Sequence, residues 1–126
     1  MKILFITDNV TYVMPHVKRL ITAGNSVWLE SNYSDAEKIL KREDIDKIII
    51  TDYVPCKSED PMYKKGHEEG IPTVETFLEK NEELLTGIPI AFLYFNPGNI
   101  ESEGVTYVDA MSVSDTRDFL SLIERL

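Results

Sequence analysis

An α/β domain with a central parallel sheet covered by helices on both faces is the fold class this sequence predicts. Short β-branched runs alternate with helical apolar patterns, and one of those runs is apolar without interruption. Capping and turn residues stand at the junctions between them.

Ile3 to Thr7 reads as the first strand. Pro15 suits the first turn of a helix, in which Val17, Leu20 and Ile21 recur at helical spacing until Ala23-Gly24-Asn25 stops them. Val27 to Glu30 is a second, short strand, and Ser34 with Glu37 three residues later reads as a capping box opening a helix through Ala36, Ile39 and Leu40. Ile48-Ile49-Ile50 before Thr51-Asp52 has the unbroken apolarity of a strand buried on both faces, which places it in the middle of the sheet. Val54 to Pro72 is polar and broken by prolines and glycines, as in a long loop. Thr73, Glu75 and Thr76 open a helix carrying Val74, Phe77, Leu78 and Leu84-Leu85, stopped by Gly87. Ile88 to Phe95 is the fourth strand, Asn96-Pro97-Gly98-Asn99 a turn, Val105 to Val108 the fifth strand, and Ser114-Asp115 the cap of a last helix. Nothing in this order suggests a linker or repeat, so residues 1–126 are expected to form a single domain. Right-handed crossovers then give a flavodoxin-like three-layer αβα sandwich, with a five-stranded parallel sheet of order 2-1-3-4-5.

Composition narrows the function. The chain has 126 residues, 43% hydrophobic and 28% charged, enough for a core without metal or disulfide staples. Its single cysteine, Cys56, permits no internal disulfide. Thirteen basic residues against twenty-two acidic ones give a net charge of −9, which argues against nucleic acid or an anionic membrane as partner. The first apolar run is too short for an export signal or a membrane span, so a cytoplasmic protein is expected. Neither G-x-G-x-x-G nor G-x-x-x-x-G-K-[ST] occurs.

In a 2-1-3-4-5 sheet the loops after strands one and three lie side by side at the switch point, which would bring Asp8 and Asp52 together. Two convergent carboxylates suit a hard divalent cation, chiefly Mg2+, and Asp52 could then attack a phosphoryl donor while Asp8 holds the metal. Each also has a plainer reading, Asp8 as a helix cap and Asp52 as a brace for the loop through Tyr53 to Pro55. Tyr12, Tyr53 and Tyr94 could line the same rim or simply pack. His16 reads as a surface or packing residue; His67, Asp60 and Cys56 lack any recognised metal spacing.

Ile3-Leu4-Phe5-Ile6-Thr7-Asp8-Asn9 resembles the acidic opening of response-regulator receiver domains, the CheY-like family, and Ile48-Ile49-Ile50-Thr51-Asp52 resembles their third strand and phosphoacceptor. Pro55 and the stretch from Gly104 through Tyr107 to Ser114-Asp115 are similar to the family as well. The resemblance implies Asp52 as phosphoacceptor, Mg2+ held by Asp8, Asp52 and the Val54 backbone, and a rim of Thr7, Asn9, Tyr53, Tyr94 and Asn96. It also implies a signalling domain rather than a metabolic enzyme, with a histidine kinase or an output protein as partner.

The sequence departs from that pattern at informative places. Thr7 stands where the family usually carries the first of two adjacent acids. Tyr94, Phe95 or Asn96 replaces the hydroxyl residue at the end of strand four, and Met111 falls near the position of the phosphate-pairing lysine. About nine residues separate strands four and five, fewer than a helical crossover takes. These departures point to a degenerate pseudo-receiver acting through protein–protein contacts. Two alternatives remain: a small-ligand or nucleotide-binding domain using the tyrosines and the loop from Cys56 to Gly70, or an assembly subunit forming a homodimer through Phe119, Leu122 and Ile123 on its last helix.

Overall fold

Five short apolar runs pair side by side to form the sheet, and a computed structural model of the chain describes them within residues 1–51, 73–94 and 104–126. The strands are β1 (Lys2–Ile6), β2 (Ser26–Glu30), β3 (Lys47–Thr51), β4 (Ile90–Tyr94) and β5 (Val105–Asp109). All are parallel, in the order β2-β1-β3-β4-β5. The described helices are α1 (Val10–Thr22), α2 (Tyr33–Arg42), α3 (Thr73–Lys80), α4 (Glu82–Leu85) and α5 (Thr116–Arg125), with a 3₁₀ turn at Ala110–Val113.

Every residue of β3 is buried, as its unbroken apolar run predicts. Alternation along β1 and β3 divides the core in two. Leu4, Ile6, Ile48 and Ile50 pack against Tyr33, Ala36 and Phe77 of α2 and α3 on one face. Ile3, Phe5 and Ile49 pack against Val13, Val17 and Leu20 of α1 and Phe119 and Ile123 of α5 on the other. The apolar face of α5 is thus spent on its own domain: of the three residues named for the homodimer alternative, Phe119 and Ile123 are wholly buried and Leu122 is half-buried.

Three local expectations change. The helix of Pro15 begins five residues earlier, because the Asn9 side chain accepts from the Tyr12 N–H and caps it there; Pro15 lies inside α1, where it gives up one backbone bond. Its end follows the reading, with Gly24 at φ +95° and the N–H groups of Gly24 and Asn25 returning to the carbonyls of Ile21 and Leu20. The Ser34–Glu37 box is not used. Asn32 caps α2 by accepting from the Asp35 N–H, and Glu37 turns inward instead. Glu37 accepts from Asn81 Nδ2 at 2.9 Å and pairs with Lys80 at 3.2 Å. Asn81 Nδ2 also donates to the Phe77 carbonyl, and at that residue the single helix expected up to Gly87 divides into α3 and α4.

Lys47 is buried at the start of β3, where its ammonium donates to the carbonyls of Ile123 and Glu124. A cation on the last carbonyls of α5 satisfies groups that have no partner within the helix.

His16 lies between α1 and α5, stacked on Phe119 with ring centroids 4.2 Å apart and meeting Tyr12 edge-on at 5.5 Å. It is 2% exposed, and its buried Nδ1 has no hydrogen-bond partner. The packing reading holds. Burial pushes its pKa below the ordinary 6.5, and the Asp115 carboxylate only partly offsets that. Because the unfolded chain takes up the proton first, this contribution to stability is complete above pH 6.5 and is lost as the pH falls below it. We expect the unfolding midpoint to fall between pH 7.5 and pH 5 in the wild type and less steeply in His16→Phe, which keeps the stack without the titration. Parallel pH curves for the two proteins would refute the assignment.

Candidate functional site at the carboxyl edge of the sheet

The register of β1 against β3 sets Ile6 opposite Ile50, and one step further on it brings Thr7 to Thr51. Both threonines are wholly buried. Thr51 Oγ1 donates to Thr7 Oγ1 at 2.7 Å, and the Asn9 N–H donates to the same oxygen at 3.0 Å. The Thr7 N–H meanwhile reaches the Glu30 carbonyl, extending the β1–β2 ladder. Thr7 is therefore a sealed post beneath the edge, contrary to its expected place on the rim. The pairing was missed in the sequence because only the register sets two distant strand-end threonines face to face.

Asp8 is exposed just beyond this bridge. It does not cap α1, since Asn9 does. Burial pushes the Tyr33 phenol far up, and the Asp8 carboxylate adds to it. Asn9, expected on the rim, is committed to the cap and to the Thr7 hydroxyl. Asp52, Tyr53, Val54, Pro55, Cys56, Asp60, His67 and Asn96 lie outside the described residues.

The tyrosines divide between the two faces of the sheet. Tyr12 packs on the α1–α5 side and its hydroxyl donates to the Ala110 carbonyl at 2.9 Å; Tyr94, half-buried, packs on the opposite side. An aromatic rim made jointly by these two does not form. At the end of β5, Asp109 accepts from the Met111 N–H and holds the 3₁₀ turn. Met111, where the resemblance would set a lysine, is 69% exposed and carries no charge.

Among the described residues the edge is acidic. Asp8, Glu30 and Asp109 stand at the ends of β1, β2 and β5, and the described residues that follow the strands include no lysine or arginine. Among the described residues no three acidic, histidine or cysteine side chains gather as a metal would require. A magnesium ion draws on carboxylates and phosphate oxygens at octahedral geometry. Of the ligands the resemblance implies for magnesium, only Asp8 is among the described residues; the Thr7 hydroxyl next to it in the chain already accepts two hydrogen bonds.

The sheet order, the helices on both faces and the switch point between β1 and β3 define the flavodoxin-like class. Solved structures narrow this to the fold of CheY-like receivers. The receiver domain of the hybrid histidine kinase CckA superposes with a TM-score of 0.71 at 20% identity, over 99% of this chain and 97% of that one. The chemotaxis response regulator CheY4 of Vibrio cholerae gives a TM-score of 0.72 at 14% identity, over 98% and 96%. An atypical orphan response regulator, described as having a phosphorylation-independent regulatory mechanism, gives 0.67 at 16% identity, over 99% and 93%. The chain has the receiver fold over nearly its whole length. No family model matches the sequence, and no curated protein matches it. No helix among the described residues is long and apolar enough to cross a membrane.

Proposed function

We propose that this chain is a receiver-like signalling module that works by binding a protein partner, of the sensor-kinase or output-protein kind, and does not depend on phosphorylation of Asp52. The observation that carries this reading is the buried Thr7–Thr51 hydroxyl bridge at the position where the receiver pattern has a metal-binding acid. Without that acid, phosphorylation would raise the charge at Asp52 from one negative to about two, with no described cation in the adjoining loops to offset it. The receiver fold of the atypical orphan regulator supports the same reading by analogy.

The test is to expose the protein to magnesium with beryllofluoride or acetyl phosphate. Amide NMR signals and intact mass are followed, with Asp52→Asn as control. We expect the Thr7 to Asn9 signals to stay in place and the mass to be unchanged. An adduct on the wild type that is absent from Asp52→Asn would overturn the proposal and make this a phosphorylatable receiver.

A further inference from the structure

At the far end of the sheet from Asp8, a groove of about 790 Å3 opens between α3 and α4 on one side and the amino ends of β4 and β5 on the other. Leu78, Ile88 and Val105 line it as half-buried apolar side chains that continue the core outward. Glu75 and Glu79, one turn apart on α3, and Glu82 at the start of α4 stand along it, so three carboxylates lie beside an apolar floor. None of them forms an ion pair with a described residue; Lys80, the nearest cation in sequence, is turned to Glu37. The connection from Tyr94 to Val105 is also shorter than the dozen or more residues of a helical crossover.

From this pairing of an apolar floor with an unpaired acidic rim, we infer that the groove docks a basic amphipathic helix of the protein partner. Its leucine-type residues would lie on Leu78, Ile88 and Val105, and its flanking lysines or arginines would face Glu75, Glu79 and Glu82. The net charge of −9 draws such a helix in from solution. This inference rests on the reading of the protein as an interaction module and names the partner's chemistry.

The probe is a synthetic peptide of roughly four turns with a leucine stripe flanked by lysines, titrated into the whole isotope-labelled chain. Amide signals of Leu78 to Glu82, Thr86 to Ile88 and Gly104 to Val105 are expected to move while those of Thr7 to Asn9 stay still. The double substitution Glu79→Lys and Glu82→Lys, at two exposed positions, should weaken binding roughly ten-fold and leave the unfolding midpoint unchanged. A scrambled peptide of the same composition should bind far less. Shifts centred elsewhere, equal binding by the scrambled peptide or by the double variant, or no binding at all would each overturn the docking site. Insensitivity to phosphoryl donors is read at different amides, so the docking site can fail while the reading of the carboxyl edge stands.

Discussion

Thr7→Asp should cost roughly 3–5 kcal/mol of stability in metal-free buffer, because it sets an ionised carboxylate with no cationic partner at a wholly buried position, where only the Thr51 hydroxyl and the Asn9 N–H stand ready to donate to it. The same substitution supplies the second adjacent acid that the edge lacks. Magnesium at about a hundred times its dissociation constant should then return about 2.7 kcal/mol to the variant. The wild type, in which no three possible metal ligands gather among the described residues, should gain almost nothing from the same magnesium. Thermal unfolding of both proteins with and without magnesium measures all four states. Adding Asp52→Asn to the variant should remove the magnesium effect if Asp52 completes the cation site. Equal stabilisation of wild type and variant would mean that the native edge already holds the ion, and the phosphorylation-independent reading would lose its support.

Phe119→Ala should be the most damaging single truncation on the α1–α5 side, at roughly 3–5 kcal/mol. The ring is wholly buried and stacks on Phe5 at 5.9 Å and on His16 at 4.2 Å. Its removal leaves a cavity between α5 and the sheet that β1 cannot collapse to fill, since β1 is hydrogen-bonded to strands on both sides. A fall in the unfolding midpoint of about 10 °C or more is expected for a domain of this size. The His16 ring would also gain access to water, so its pKa should rise toward 6.5 and the loss of stability below that pH should shrink. A cost near 1 kcal/mol, or an unchanged His16 titration, would show that α5 packs less tightly than the stack implies.

Strand identity and sheet order could be read from the sequence because they depend on local apolar runs and on the handedness of crossovers. Ile48-Ile49-Ile50 is apolar at every position since both of its faces meet helices, and that requirement shows without coordinates. The stop at Gly24 and the cap at Asp115 were legible for the same reason, each depending on residues within one turn. The helix starts were harder. Pro15 and Ser34 are both compatible with a first turn, but Asn9 and Asn32 lie closer to the strand ends and reach the free N–H groups first.

What only the tertiary structure decided is what each polar residue is for. Glu37 reads as a capping acid, yet across the packing of α2 on α3 it becomes the partner of Asn81. Lys47 reaches the carbonyl end of a helix that follows it far along the chain. Thr7 marks a missing acid in the sequence; only the register of β1 on β3 shows that its hydroxyl is already satisfied by Thr51. A hydrogen bond needs its two atoms within about 3 Å. Apolar periodicity carries the direction in which a side chain is buried but not the partner it meets, so the elements and their order came from the sequence by itself and the pairings at the edge came from the fold.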